Sequence, residues 1–273
     1  RIGKSKDLPM TIRWGIVSAG KISSDFVNAF NSYPDKGDQE IVAVALFFIH
    51  NTIFSVSDVV YIGCLNPHHY EYADIFLMHG KHVLCEKPLC MTAYQAGGLI
   101  DLAREKELFL MEAVWSRFSP AYAEMEKEIA EGKIGEVKFL EANLGFHAET
   151  ERDLLGGLSS SLSFPAVLDV GVYVLQLSQL IFKEWPIKIN AFGNLNEDDV
   201  DYTATIILDY EGGKRAVLNT HTQLQLVNKA TVYGTKGRIT VNLWAASTSE
   251  RIVVIQRISI RSLARGDGPK ESI

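Results

Sequence analysis

With 273 residues, 47% of them hydrophobic, the chain is long enough for one large or two medium domains, each burying its own apolar core. Its 33 acidic residues outnumber 27 basic ones scattered among them, for a formal charge of −6, which argues against a polyanion such as nucleic acid as partner. No apolar run approaches the ~18 residues of a membrane-spanning helix, and the opening RIGKSKDLP lacks the apolar core of a secretory signal.

The three cysteines, Cys64, Cys85 and Cys90, are odd in number and lie in or beside apolar runs, which suits reduced, buried thiols better than a disulfide framework. A cytoplasmic protein is expected, with Met10 a candidate natural start preceded by upstream sequence.

Residues 12–20, IRWGIVSAG, form a short apolar run ending in small residues and predict a strand and a tight turn. The following KISSDFVNAF predicts a helix whose Ile22, Phe26, Ala29 and Phe30 share an apolar stripe. IVAVALFFI at 41–49 and DVVYIG at 58–63 are β-branched and bounded by polar residues, as buried parallel strands are. HHYEYADIFLMHGK reads as a helix stopped at Gly80, and HVLCE as a strand. Thr92 is placed to cap a helix running through Asp101, Leu102 and Arg104, and LFLMEAVW is a further strand. Strand and helix alternate, which predicts a doubly wound parallel sheet.

From residue 119 the pattern changes. Ser119 and Pro120 form an N-cap and first-turn pair for a helix ending near Gly132, and the strands after it succeed one another directly. These are VKFLEANLG, IKINAFG, YTATIILDY, RAVLNTHTQL, KATVYG, RITVNL and RIVVIQR, with hairpin turns at Glu211-Gly212-Gly213-Lys214 and Gly234-Thr235-Lys236-Gly237. One apolar helix, AVLDVGVYVLQLSQLIF, interrupts them. The chain is therefore expected to fold as a Rossmann-type α/β parallel-sheet domain over 10–118, followed by an α+β domain over 119–273 with an open, mostly antiparallel sheet.

Three features carry chemistry. Ser18-x-Gly20-x-x-Ser23, between the first strand and helix, has the small residues that let a backbone approach a pyrophosphate, although the same pattern serves a plain packing turn. GKHVLCEKP puts Glu86 and Lys87 at the carboxyl end of a parallel strand, where open α/β sheets bind ligands; the alternative is a solvated loop lysine. Asp169 and Tyr173, four apart on an apolar helix, project from one face, and the residues alone favour an interior hydrogen bond and ordinary core. His68, His69, His79 and His82 invite a metal reading, but no acid or thiolate set completes a site, so no metal is expected.

WGIVSAGKISSDF, HGKHVLCEKP, FLMEAVWSRF, LDVGVY and VYGTKGRITV occur in the order seen in the Gfo/Idh/MocA-like oxidoreductases, and the chain resembles that family from about residue 12 to about residue 243. Tyr173, where many relatives carry His, points to the branch that oxidises trans-dihydrodiols or aldopyranoses such as D-xylose by hydride transfer to NADP, with NAD possible. The resemblance implies that Lys87 and Tyr173 face the nicotinamide and that Asp169 orients the substrate hydroxyl. It further implies that Trp115, Arg117 and Phe118 line the pocket, and that Ser18, Gly20, Lys21, Ile22, Asn66, His69 and Glu86 lie along the cofactor. The chemistry agrees, because a tyrosine with a reference pKa of ~10 needs a nearby cation such as Lys87 to take a hydroxyl proton near neutrality. A homodimer is expected too, two copies covering an apolar sheet face that no helix shields.

The chain departs from the family in two places. Between Ala45 and Ser57 only LFFIHNTIFSV remains, too short for both a crossover helix and a further strand. The missing strand is an outer one in the usual order, so strand two becomes an edge, and the remaining link reaches roughly 36 to 40 Å if extended. The pocket for the adenosine 2′ position is thereby damaged, and the family's closing C-terminal helix has no match after Ile252. Both absences suggest a splice product, a gene-model error or a degenerate copy. They keep a second reading open, a catalytically impaired cofactor-binding or interaction protein.

Overall fold

The structure, a computed structural model, describes residues 11–35, 37–45, 51–147, 165–243 and 254–257. The chain divides into two units, Arg1–Val114 and Trp115–Ile273, a few residues ahead of the boundary read from the sequence near Ser119.

The first unit alternates β1 (Ile12–Val17), α1 (Lys21–Ser32), β2 (Gln39–Ala45), α2 (Asn51–Val56), β3 (Val59–Ile62), α3 (His69–Met78), β4 (His82–Glu86), α4 (Ala93–Glu105) and β5 (Leu110–Ala113). The strands form one parallel sheet in the order β2-β1-β3-β4-β5 among the described residues. Each residue of β3 is buried, as expected of a β-branched run flanked by strands on both sides and covered on both faces. Phe76, Leu77, Val83, Cys85 and Leu99 continue that core into α3, β4 and α4. Thr92 Oγ1 accepts from the amide of Gln95 across 3.2 Å and caps α4.

Three expectations need correction here. β2, read from its composition as a buried strand, is only half-buried, with Val44 57% exposed, because it is the edge strand that the shortened link implied; residues 46–49 of the predicted run lie outside the described residues. The buried face of α1 runs through Ser23, Phe26, Val27 and Phe30, one position round from the expected stripe, so that Ile22 and Ala29 are exposed. Aromatic packing sets that face: Phe26 stacks on Tyr61 of β3 at 4.1 Å and meets Trp14 of β1 at 5.5 Å.

Third, the shortened link is not simply an extended span, because it contains α2. This single turn and a half packs against β2 and β1 and covers that part of the sheet face. Ile53 is buried against Gly15 of β1, where a Cβ would lie 2.8 Å from Ile53 Cγ1, so the glycine makes room for the helix. Phe54 packs on Phe76 at 5.1 Å and on the His79 ring at 4.3 Å. Phe47 and Phe48 lie outside the described residues.

The second unit comprises α5 (Pro120–Ala130), β6 (Val137–Gly145), a π-helical turn (Ala166–Gly171), α6 (Val172–Phe182), β7 (Lys188–Leu195), β8 (Asp201–Asp209), β9 (Arg215–His221), β10 (Lys229–Gly234), β11 (Gly237–Asn242) and β12 (Val254–Arg257). Their order is β12-β11-β10-β6-β9-β8-β7, antiparallel throughout except for the β6–β9 pair, among the described residues. The period-2 alternation sends Leu140, Ala142, Leu144, Ile206, Leu208, Ala216 and Leu218 to one buried face, and α6 packs there against β6 and β9.

The other face is only partly the apolar surface expected from the sequence, since polar rows share it with Ile207, Val217 and the exposed Phe192. Thr205 Oγ1 donates to Asn219 Oδ1 across 2.8 Å, Asn219 Nδ2 donates to Asn143 Oδ1 across 2.9 Å, and Thr231 and Thr240 pair at 3.0 Å. These polar rows occupy the positions between the buried ones, and among them lies the ring pair Phe139–Tyr233, 5.7 Å apart.

Candidate active site

In the strand order of the first unit the chain leaves β1 on one side for β2 and returns on the other for β3. The β1–β3 gap is therefore the topological switch point where open α/β sheets bind ligands. Ser18, at φ +75°, turns the chain out of β1, and Gly20 is the extended N-cap of α1. A Cβ at Gly20 would meet nothing nearer than Ser18 Oγ at 3.7 Å, so the turn presents bare backbone to open space. Lys21 and Ile22 are exposed at the same helix start, and Lys21 pairs with Asp25 one turn on. This turn fits a pyrophosphate, which needs close backbone approach and a helix N-terminus.

Ser23 sits beneath the turn, buried against Gly63 at the end of β3; a Cβ on Gly63 would run into Ser23 Oγ. Small residues at both positions let α1 lie close to the sheet, the packing task of the third small residue in a dinucleotide turn.

The loop after β4 is held from several sides. Glu86 is buried, and its Oε1 accepts from the hydroxyl of Tyr61 across 2.8 Å while Oε2 accepts from the amide of Lys87 across 3.3 Å. The peptide between Lys87 and Pro88 is cis. Leu89 N donates to Glu112 Oε1 of β5 across 2.8 Å. Burial pushes the Glu86 carboxyl above the usual carboxylate range, against the opposing pull of the Tyr61 hydrogen bond. Burial and the neighbouring Glu86 push the Tyr61 hydroxyl far up, so it stays a neutral donor. Lys87 itself is half-exposed.

Asn66 opens the 3-10 turn Asn66–His68 after β3 and is half-buried. His69 has no exposed surface. Its Nδ1 lies 2.7 Å from the Pro88 carbonyl oxygen and its Nε2 lies 3.1 Å from that of Cys64, so the ring ties the loop after β3 to the loop after β4 from behind. The other histidines have local roles: His82 Nδ1 accepts from Phe109 N across 2.9 Å, and His79 Nδ1 lies 2.8 Å from Ile75 O. Among the described residues no three His, Cys, Asp or Glu side chains are grouped to hold a metal ion.

In the second unit Asp169 lies in the π-helical turn and Tyr173 at the start of α6, with 6% and 5% of their surfaces exposed. A wider-wound π turn rotates less per residue than an α-helix, so side chains four apart across this junction align more closely than on a plain helix. The phenol oxygen of Tyr173 accepts from Trp115 Nε1 across 2.8 Å, the rings 5.7 Å apart and inclined by 58°. Trp115 belongs to the 3-10 turn Trp115–Phe118, whose Ser116 Oγ accepts from Gln176 Nε2 across 3.2 Å. Arg117 and Phe118 on this turn are exposed, and Trp115 and Phe118 border a cavity of about 190 Å³ that also includes Ser119, Tyr122 and Asn242.

The structure thus places Ser18, Gly20, Asn66 and Lys87 on turns and loops, and Lys21 and Ile22 on the first turn of α1, at the carboxyl end of the parallel sheet, with Glu86 closing β4 and His69 behind the loops. Asp169, Tyr173, Trp115, Arg117 and Phe118 belong to the second unit. Sequence reasoning missed Tyr61, Glu112 and Gln176. The polar Tyr61 inside DVVYIG and Glu112 inside LFLMEAVW were the available signals, since a polar group in a buried strand needs a partner.

Two family models match the chain: the oxidoreductase family with NAD-binding Rossmann fold over residues 49–114, and the GFO/IDH/MocA C-terminal domain over residues 122–240. A trans-1,2-dihydrobenzene-1,2-diol dehydrogenase of Xenopus tropicalis is 36% identical over 267 residues, 88% of this chain and 78% of the relative. The protein of that name in Homo sapiens is 33% identical over 256 residues, 84% and 74% respectively. Among solved structures, KijD10, a 3-ketoreductase from Actinomadura kijaniata in complex with TDP-benzene and NADP, aligns with a TM-score of 0.77 at 24% identity over 91% of this chain and 81% of its own. An aldose-aldose oxidoreductase from Caulobacter crescentus complexed with glycerol aligns at 0.73 and 20% identity over 96% and 85%.

Proposed function

Because the chain belongs to the Gfo/Idh/MocA oxidoreductase family, we propose that it is an NADP-dependent dehydrogenase, with NAD possible, that oxidises trans-dihydrodiols or aldopyranoses such as D-xylose. The relatives named as dihydrodiol dehydrogenases support the first substrate class, and the NADP in the similar ketoreductase structure supports the cofactor. The observation that carries the reading is the buried Asp169 and Tyr173 at the π-to-α junction, with the Tyr173 oxygen held by Trp115. That arrangement suits a group meant to exchange a proton with a substrate hydroxyl.

The bound nicotinamide supplies the acceptor for a hydride leaving the carbinol carbon. Tyr173, as phenolate, takes the hydroxyl proton while the carbon–oxygen single bond becomes a carbonyl. By resemblance to the family, Lys87 would supply positive charge facing the nicotinamide, and Asp169 would accept a hydrogen bond from the substrate hydroxyl and orient it. Ser18, Gly20, Lys21 and Ile22 hold the pyrophosphate at the start of α1, and Asn66 and Glu86 shape the loops beside it. His69, being buried, contributes by tying those loops together. Trp115, Arg117 and Phe118 offer aromatic and cationic surface to a ring-shaped substrate.

The reading includes a homodimer through the open face of the seven-stranded sheet, whose polar rows and Phe139–Tyr233 pair suit a wet interface. It also includes a cytoplasmic location, which the free thiols of Cys64, Cys85 and Cys90 support. Among the described residues no helix is long and apolar enough to cross a membrane.

The test is the appearance of reduced cofactor on incubation with benzene dihydrodiol or D-xylose. Turnover is expected from the parent chain, reduced about 10²- to 10⁴-fold by Tyr173→Phe with cofactor affinity retained. A folded chain that turns over neither substrate removes the reading. The short α2 link between β2 and β3 favours one alternative, a cofactor-binding or interaction protein without catalysis. Micromolar NADP binding, read by tryptophan fluorescence, without turnover identifies that case.

A further inference from the structure

Trp115 sits on the first turn of the second unit and its indole nitrogen donates a hydrogen bond to the phenol oxygen of Tyr173 of α6 at 2.8 Å. An indole N–H donates and never accepts, so at this contact the Tyr173 oxygen is the acceptor in either protonation state. When the phenol loses its proton, a neutral hydrogen bond becomes a charge-assisted one of roughly twice the strength. The contact therefore stabilises the phenolate more than the phenol.

The donor is also held in place. Gln176, one turn after Tyr173, donates from Nε2 to Ser116 Oγ at 3.2 Å and to the Tyr173 carbonyl at 3.0 Å, pinning the turn that carries Trp115 to the helix that carries Tyr173. The strands under α6 present Leu140, Ala142, Leu144, Ala216, Leu218 and Thr220 to it, none of which titrates. Among the described residues of this unit, the titratable and charged groups beside α6 and the Trp115 turn include Asp169, Arg117, Tyr122 of α5, and Tyr210, whose hydroxyl lies 2.7 Å from Ser178 Oγ of α6.

We propose that Trp115 is a positioning residue for proton transfer, its indole N–H fixing the Tyr173 phenol and selectively stabilising its ionised form. This rests on the reading of Tyr173 as the proton-transfer group. Lining an apolar pocket would need only the indole rings; the proposed role needs the N–H.

Trp115→Phe keeps an aromatic ring and removes the donor. The alkaline ultraviolet difference spectrum of Tyr173, isolated by subtracting the Tyr173→Phe titration, should show about tenfold less phenolate at a given pH in Trp115→Phe than in the parent. In the pH profile of turnover, kcat should fall by a similar factor on the acid side of the basic ionisation, with KM changed far less. An unchanged Tyr173 titration in folded Trp115→Phe overturns the proposal. So does loss expressed in KM alone, which is what a pocket wall gives.

Should Trp115→Phe fail to fold, the parent chain still decides, because the indole N–H resonance of Trp115 must move as Tyr173 ionises. A resonance insensitive to that ionisation also overturns the proposal. If the titration shifts but Tyr173→Phe keeps full turnover, the hydrogen bond stands and the proton-transfer assignment of Tyr173 falls.

Discussion

The hydroxyl of Tyr61 donates to Oε1 of Glu86 across 2.8 Å, joining neighbouring parallel strands near the carboxyl ends where the sheet presents its loops. Phe26 of α1 stacks on the same tyrosine ring, so one side chain couples the helix after the first turn to the base of the loop bearing Lys87.

Removing that donor leaves a buried carboxyl oxygen unpaired. Tyr61→Phe, which keeps the stacked ring, should destabilise the chain by about 1–3 kcal/mol in urea denaturation. An unchanged midpoint would mean that the hydrogen bond contributes nothing to stability.

The raised pKa of Glu86 gives a pH signature of definite sign. A carboxyl whose folded value lies above its unfolded value binds its proton more tightly when folded, so its contribution is complete below about pH 4 and is lost as pH rises through the folded value. Relative to the parent, Glu86→Gln should therefore gain stability as pH rises from about 4 towards neutrality. The lost acceptor for the Lys87 amide adds an offset that does not vary with pH. Denaturation curves at several pH values check this; parallel profiles for the two proteins contradict it.

Gly63 should tolerate no side chain. Gly63→Ala drives a methyl into Ser23 Oγ and to 2.9 Å from Tyr61 Cε1, an overpacking expected to cost about 1–3 kcal/mol and to lift α1 from the switch point, weakening cofactor binding. Adding Ser23→Ala removes one of the two clashes and should restore part of both losses, as stability and NADP titrations of the double variant would report.

The three thiols should be inert in the folded chain. Burial pushes Cys64 up to about 12 and Cys90 up to about 11, and raises Cys85 further, so almost no thiolate exists near neutrality. A disulfide reagent at pH 7 to 8 (roughly the lower edge of ordinary thiol ionisation) should titrate all three only after denaturation. Fast reaction of the native protein would refute that burial.

What the sequence determined by itself was local or repetitive. The alternating apolar runs set out the parallel sheet, Thr92 marked the start of α4, and Ser119-Pro120 marked the start of α5, since each signal is written within a few residues. Folding decided what depends on distant partners. Trp115 and Tyr173 stand 58 positions apart, Tyr61 and Glu86 25, and Leu89 and Glu112 23, and strand register or helix packing alone brings each pair within hydrogen-bonding distance. The same holds for Ile53 in the space left by Gly15, and for the one-position turn of α1 that buried Ser23 in place of Ile22. Periodicity ranks the faces of a helix, but the shape of the neighbouring surface chooses among them.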